Sequence, residues 1–186
     1  VILHDCMHGS FFASRRLNDV VGVLLSPIAM TPYRATQHIH NLHHMHVSDL
    51  DRRDTFEIRV MTRREWERAG AVERLGYRIY RNPITLILVG PFLFFLLARR
   101  LPLCGLRSGV GDLVVHNTLL AGFVYAIWLV SGLPGLLVWL AAVYLACVGG
   151  ALISYVVHNF ETIHWGTKPE LDFQTAALEG SAVLDW

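Results

Sequence analysis

Two long apolar stretches dominate the C-terminal half of the chain. Residues 135–157, GLLVWLAAVYLACVGGALISYVV, are 23 consecutive positions without a charge. At about 1.5 Å per residue, a helix of this length crosses a hydrocarbon core of about 30 Å. Residues 113–131, LVVHNTLLAGFVYAIWLVS, are nearly as long, and the uncharged sequence GLPG at 132–135 joins the two. The pattern predicts a transmembrane helical hairpin over about 113–131 and 135–157.

Two further apolar stretches are short for a membrane crossing. Residues 84–98 number 15 and contain Pro91, which kinks a helix, and residues 20–30 are shorter still. We therefore expect both to be interfacial or re-entrant. With only the hairpin crossing, all the histidine-rich segments lie on one membrane face. By the positive-inside rule that face is cytoplasmic, because arginines precede the hairpin and its turn has none; they are Arg99, Arg100 and Arg107.

The segment from residue 51 to 82 shows a charged helical pattern. Arginine and glutamate are interspersed with Trp66, Leu75 and Tyr77 at helical spacings, and nine arginines lie between Arg52 and Arg81. This pattern predicts a charged helical segment at the membrane surface, with most of the arginines on a solvated face.

The composition also indicates a membrane protein. Hydrophobic residues make up 53% of the chain and charged residues 17%, whereas a soluble domain has about a quarter charged. The net charge of +1 gives no reason to expect a nucleic-acid partner. Three cysteines are too few and too scattered for a disulfide framework. The predicted fold class is an all-α integral membrane protein, with a transmembrane hairpin, interfacial helices and a cytoplasmic histidine-rich region.

Two sets of histidines have the spacing of metal ligands. His4 and His8 are four residues apart, and His40, His43 and His44 follow an i, i+3, i+4 pattern. Either spacing places side chains on one face of a helix. Neutral imidazole is a good ligand for iron, zinc or copper, whereas several protonated rings on one face would repel one another.

The roles of the other histidines are predicted from their positions in the sequence. His158 ends the second apolar stretch, and it becomes a ligand candidate because the hairpin returns it to the face of the other two sets. His116 and His164 are better explained by hydrogen-bonded structural roles. His38 and His46 flank the second set, as neighbours of the ligands or exposed residues.

The number of candidate ligands bears on the kind of metal site. A zinc hydrolase has about three protein ligands, an open position and a carboxylate base. No HExxH motif occurs, and six candidate histidines exceed what one zinc ion needs. The surplus favours two metal ions.

The order of these motifs resembles that of the membrane fatty acid desaturases, in particular the bacterial and plastid-type acyl-lipid desaturases of the Δ12/ω6 group. HDCMHGSF at 4–11 is followed by HNLHH at 40–44, with apolar helices after. Other segments extend the likeness over nearly the whole chain: LND at 17–19, PYR at 32–34, SDLDRRD at 48–54, HNFETIHW at 158–165 and AALEGS at 176–181.

The resemblance implies a non-haem di-iron centre on the cytoplasmic face of a membrane, here the bacterial inner membrane. Such a centre uses O₂ to remove hydrogens from an acyl-lipid or acyl thioester, with electrons from a ferredoxin-like or cytochrome-type donor. Carried over by position, the iron ligands are two residues of the first box, three of the second and one additional residue: His4, His8, His40, His43, His44 and His158.

Two departures from the family pattern stand out. Members have a third box, another HxxHH, downstream of the segment resembling AALEGS, and a tryptophan shortly after PYR, where this chain has Thr36 nearby. We therefore expect residues 1–186 to be a single desaturase-like domain truncated at both ends. Alone, these residues are expected to insert in membranes and to bind iron weakly, without forming double bonds.

Two alternatives to a desaturase remain open. A related histidine-box hydroxylase or ketolase, acting on alkanes, sterols or carotenoids, would introduce oxygen instead of a double bond. A non-enzymatic membrane protein for metal binding or transport would carry ionisable residues well inside its apolar helices. Only His116 comes close to that position.

Overall fold

The computed structural model describes residues 1–52, 58–93, 110–160, 163, 165–167, 174 and 182. They are mostly helical. The α-helices are α1 (Ile2–His8), α2 (Arg15–Leu25), α3 (Tyr33–Met45), α4 (Arg63–Arg68), α5 (Ala71–Arg81) and α6 (Val110–His158), and a π-helix covers Ile84–Val89. No β-strand occurs in these ranges, where extended pairing is limited to a parallel bridge between Asp49 and Gly166. The all-α prediction is confirmed for this part of the chain.

Some residues used in the sequence predictions lie outside the described residues. They include the arginines before the hairpin, the last histidine of the chain and the AALEGS segment: Arg99, Arg100, Arg107, His164 and 176–181.

The first of two compact units comprises Val1–His40 and Pro91–Val148. Its N-terminal helices pack around Tyr33, which is 1% exposed and contacts the buried Cys6 and Met7 of α1. The Tyr33 ring approaches α2 so closely at Gly22 that a Cβ atom there would overlap it. Glycine at position 22 therefore allows α2 and α3 to pack.

Asn18 holds the loop between α1 and α2. Its fully buried amide accepts a hydrogen bond from the Phe12 N–H at 3.0 Å and donates to the carbonyls of Phe12 at 2.7 Å and Ser14 at 2.9 Å. The LND segment thus fixes the chain that follows the first histidine pair.

α6 supports the start of α3. The Asp112 carboxylate accepts hydrogen bonds from the backbone N–H groups of Arg34 at 3.4 Å and Ala35 at 3.0 Å. These groups belong to the first helical turn, which has no intrahelical acceptors for its N–H groups. One turn further along α6, the buried His116 has its Nδ1 2.9 Å from the Ser26 hydroxyl. This confirms the hydrogen-bonded role predicted for His116.

α6 contains a break in its helical backbone. Gly132 has φ 59° and ψ −153°, a conformation that is almost exclusive to glycine. The rings of Phe123 and Trp139, on opposite sides of this break, have centroids 5.5 Å apart. Leu120 and Val143 likewise share a buried cluster with Met30. In the described part of the chain, α6 is the helix whose length and apolar composition would allow it to cross a membrane.

The second unit comprises Asn41–Gly90 and Gly149–Trp186. In it, α4 begins with a capping box, in which Glu65 N–H donates to the Thr62 hydroxyl and Thr62 N–H donates to the Glu65 carboxylate. The guanidinium groups of Arg74 and Arg78 on α5 lie 5.6 and 5.3 Å from the centre of the Trp66 ring. The helices predicted within 51–82 are confirmed as α4 and α5, while residues 53–57 lie outside the described residues.

The stretch 84–98 begins with the π-helix. Its wider turn is seen where the N–H of Gly90 donates to the carbonyl of Thr85, five residues earlier. Helical residues continue past Pro91 to residue 93, and 94–98 lie outside the described residues. The predicted position of this stretch at a membrane surface stays a prediction.

Candidate metal centre

The first group of histidines begins on α1. This helix ends at Gly9, whose φ of 70° gives the left-handed cap that glycine favours. His4 and His8 are one turn apart, and their Nε2 atoms are separated by 3.3 Å. The Asp5 carboxylate lies 3.2 Å from His4 Nδ1. A carboxylate beside one ring nitrogen is common in metal-binding histidines, because it orients the ring and leaves the other nitrogen for the metal.

α3 adds His40 to this pair. The Nε2 atoms of His40 and His8 are 2.9 Å apart, and the His40 ring centroid lies 4.8 Å from those of His4 and His8. The ligand nitrogens of all three lie within 4.8 Å of one another. His44 follows His40 by one turn of α3.

These separations suit ligands of one metal ion. Two nitrogens bound at about 2.1 Å are about 3.0–3.4 Å apart in octahedral or tetrahedral coordination. The observed Nε2 separations of 2.9 and 3.3 Å are close to that range. An imidazole donor set suits iron as well as zinc, copper or nickel. The residues present therefore fit an iron site.

The second group belongs to the second unit. His43 of α3 has its Nε2 3.2 Å from the Nε2 of His158, the last residue of α6, and the two ring centroids are 4.8 Å apart. The His44 ring centroid lies 5.5 Å from that of His43. Of the six predicted ligands, His4, His8 and His40 thus lie together in the first unit, and His43 lies beside His158 and His44 in the second.

The surroundings favour the neutral form of one ring in each group. Burial, with the neighbouring His158 and His44, lowers the pKa of His43 from its usual 6.5 to about 4. Burial and then His4 lower the pKa of His8, with Asp5 acting in the opposite direction. A neutral imidazole has a lone pair available for a metal, which a protonated one lacks.

The flanking histidines have other surroundings. His38 is exposed on α3, and His46 Nδ1 lies 3.6 Å from the carboxylate of the buried Asp49. The backbone N–H of His46 donates to the His43 carbonyl at 3.1 Å, while the side chains of His38 and His46 have no observed contact with the candidate ligands in the described part of the chain. Their predicted place beside the ligands is compatible with these positions.

Two residues of α3 that bind the end of α1 were not recognised in the sequence. Gln37 was not singled out, and Tyr33 was noted only within PYR. The Gln37 amide donates to the Met7 carbonyl at 2.9 Å, and the Tyr33 hydroxyl donates to the Cys6 carbonyl at 2.8 Å. The available signal was helical spacing, because both residues lie on the face of α3 that carries His40.

Comparison with known proteins identifies relatives along the whole chain. The family model for fatty acid desaturases matches residues 1–186. The chain is 32% identical over 184 residues to a fatty acid desaturase of Bacillus subtilis (strain 168), covering 98% of this chain and 52% of that protein. It is 29% identical over 195 residues to the omega-6 fatty acid desaturase, endoplasmic reticulum isozyme 1, of Glycine max, covering 96% and 50%.

A shorter match involves the sn-1 oleoyl-lipid 12-desaturase of Synechocystis sp., with 29% identity over 83 residues, covering 45% of this chain and 23% of that protein. The chain spans about half the length of the first two relatives. No solved structure matches. The match over all 186 residues confirms the resemblance seen in the histidine motifs, and the chain belongs to the fatty acid desaturase family.

Proposed function

We propose that the whole protein is an O₂-dependent acyl desaturase. It converts two adjacent methylene groups of an acyl chain into a cis double bond. The two hydrogens removed, two electrons and two protons reduce one O₂ to two water molecules. The observation that carries this proposal is α3, which contributes histidines to both groups in a chain that matches the desaturase family throughout.

The proposed cofactor is a pair of iron ions held by the two groups. The residues that would hold them are His4, His8, His40, His43, His44 and His158. Bound iron supplies an oxidant strong enough to remove hydrogen from an unactivated methylene, which protein side chains do not provide. The chain contributes neutral, closely spaced nitrogens, as the lowered pKa values of His8 and His43 and the short Nε2 separations support.

The proposed substrate is an acyl-lipid. One relative is named sn-1 oleoyl-lipid 12-desaturase, which supports this class over an acyl thioester. The electrons would come from a separate ferredoxin-like or cytochrome-type donor. Membrane lipid is the surrounding medium for enzyme and substrate.

We further propose that α6 is a transmembrane hairpin with its turn at Gly132. Its support is the pairing of positions at similar distances on either side of the turn, Phe123 with Trp139 and Leu120 with Val143. A continuous straight helix would separate Phe123 and Trp139 by about 24 Å at 1.5 Å per residue. Both ends of such a hairpin lie on one membrane face, which we assign to the cytoplasm of a bacterial inner membrane.

α5 is proposed to lie at the membrane surface on that side. Val72, Leu75 and Ile79 are spaced by three and four residues and remain 86%, 58% and 56% exposed. At the end of α5, Arg81 donates to the Asn159 side-chain oxygen at 3.2 Å and lies 5.3 Å from the Tyr155 ring centre. These contacts of Arg81 hold the end of α5 beside the end of the apolar helix α6. The exposed apolar face of α5 is then in a position suited to lipid contact.

The remaining part of the site is proposed to come from the whole protein. The relatives are about twice as long as the matched region, and a third histidine box would supply further ligands. We therefore propose that residues 1–186 alone form no double bonds.

Expression of the full-length gene in a bacterial host without polyunsaturated lipids tests the proposed function. We expect a new double bond in the lipid acyl chains, located by mass spectrometry of the derivatised fatty acids. The reaction should stop without O₂ and when iron is removed by chelation. A hydroxylated or keto product, or no product from iron-loaded protein supplied with reductant, would contradict the proposal.

A further inference from the structure

The end of α1 is held by side chains of α3. The last four residues of a helix have carbonyl groups without intrahelical partners, and in α1 these include Cys6 and Met7. The Tyr33 hydroxyl donates to the Cys6 carbonyl at 2.8 Å, and the Gln37 amide donates to the Met7 carbonyl at 2.9 Å. Both hydrogen bonds therefore fall within two residues of His8.

The register of α3 aligns these hydrogen bonds with the histidines. At about 100° per residue, Tyr33, Gln37, His40 and His44 lie on one narrow stripe of the helix. Its first two positions bind the end of α1, and the third brings His40 Nε2 within 2.9 Å of His8 Nε2. The distance between these two Nε2 atoms thus depends on the position of α1 against this face of α3.

Tyr33 is itself rigidly placed. It is 1% exposed, and its hydroxyl also lies 3.3 Å from the Asp19 carboxylate, which forms an ion pair with Arg34 at 3.0 Å. Burial, reinforced by Asp19, raises the pKa of Tyr33 to about 12, so its hydroxyl remains a donor at physiological pH. The Gln37 amide also donates to the Tyr33 hydroxyl at 3.4 Å, so the two side chains that bind the end of α1 are hydrogen-bonded to each other.

We propose that Tyr33 and Gln37 are positioning residues that set the His8–His40 spacing and thereby the metal affinity of the group His4, His8 and His40. The inference rests on the proposed function only in requiring that this group binds a metal. Ligands held in place before binding lose less conformational freedom when the metal arrives, so fixing α1 against α3 strengthens binding.

The test measures Co²⁺ binding to the full-length protein in detergent, without O₂, from the visible absorption of the bound ion. Tyr33→Phe removes the hydroxyl and keeps the ring, and Gln37→Glu keeps the shape of the side chain but removes the N–H donors. We expect each variant to bind the ion of the first group at least about 10-fold more weakly, the scale found for residues that orient metal ligands. Its absorption spectrum should also change.

Thr36→Val is the matched control. Thr36 is buried on the same helix, and its hydroxyl has no hydrogen-bond partner within the described part of the chain. This variant should bind Co²⁺ as the native protein does. Thermal unfolding of each metal-free protein, followed by circular dichroism, separates a change in affinity from a change in stability.

The outcomes are distinct. Native affinity and spectrum in both Tyr33→Phe and Gln37→Glu would overturn the inference, as would a lowered metal-free unfolding temperature with unchanged affinity. Gln37 is only partly buried, so Gln37→Glu remains informative if Tyr33→Phe does not fold. If the native protein binds no Co²⁺, the metal centre of the proposed function fails together with this inference.

Discussion

At the scale of single residues, two candidate ligands have a lowered pKa, His8 and His43. Of these, His43 is the less exposed to solvent. A partly buried ring with a pKa near 4 stays neutral in neutral solution, and its Nε2 lies 3.2 Å from that of His158. Removing this ring takes away a ligand and leaves a space that water can enter. His44 is exposed beside it, so its replacement should remove a nitrogen with less disturbance of packing.

We predict that His43→Ala and His44→Ala each abolish double-bond formation in the full-length protein, a loss of at least about 100-fold, because each removes a proposed iron ligand. Fatty acid profiles of the expressing cells provide the measurement. His38→Ala and His46→Ala are controls from the same region and should retain substantial activity. Equal losses in all four variants would show that the assignment within this region is wrong.

A second prediction at this scale concerns Gly22. Gly22→Ala should destabilise the protein by about 1–3 kcal/mol, because the new Cβ atom would overlap the Tyr33 ring. Gly76→Ala is the control, since Gly76 also lies within a helix but has open space around its Cβ position. We expect a lower midpoint of thermal unfolding for the first variant and an unchanged or higher one for the second. Equal midpoints would exclude a tight contact at Gly22.

Spacing predicted five of the candidate ligands and the predicted hairpin added His158, but neither predicted which ligands lie together. His40, His43 and His44 share a broad face of α3, and their spacing predicts that the three rings converge on one region. On a helix, however, His43 and His44 point about 60° and 40° to opposite sides of His40. The structure accordingly pairs His40 with His8 and His43 with His158. Such pairings depend on contacts distant in sequence, which spacing within one segment does not contain.

At the scale of elements, α6 depends on the backbone conformation of one residue. Gly132 has a positive φ with an extended ψ, and its Cβ position has no neighbour nearer than 3.8 Å. A side chain at this position would meet backbone strain but little steric hindrance. The break is thus maintained by the conformational freedom of glycine.

We predict that Gly132→Ala destabilises the full-length protein by about 1–3 kcal/mol through this strain. Gly122→Ala, in a regular part of the same helix with open space around the Cβ position, should be neutral or slightly stabilising. Thermal unfolding in detergent compares the two variants. A Gly132→Ala protein as stable as the Gly122→Ala protein would show that the backbone break is not required.

Sequence pattern predicted the elements better than their contacts. The apolar segments 113–131 and 135–157 correspond to α6 with its break at Gly132, because long uncharged runs have few alternatives to helix. The charged pattern likewise predicted α4 and α5. The capping of α3 by Asp112 was not predicted, since donor and acceptor are 77 and 78 residues apart.

At the scale of the whole molecule, the proposed topology predicts on which side of the membrane a given residue lies. Position 133 should lie on the opposite side of the membrane from position 45, because one half of the hairpin separates them. Single cysteines at Leu133 and Met45, both exposed, can be introduced after the native cysteines are replaced by serine. A membrane-impermeant thiol reagent should then label them from opposite sides of oriented vesicles. Labelling of both from the same side would disprove the hairpin.

The Asp112 contact has a further consequence for the other end of α3. Aligned peptide dipoles give a helix a partial positive charge at its start and a partial negative charge at its end. The Asp112 carboxylate compensates the first, whereas His43 and His44 lie in the last turn, near the second. A cation held there gains about 0.3–1 kcal/mol from the peptide backbone itself. This electrostatic attraction persists whichever histidine is replaced, so the backbone favours a positive ion even where a ligand is missing.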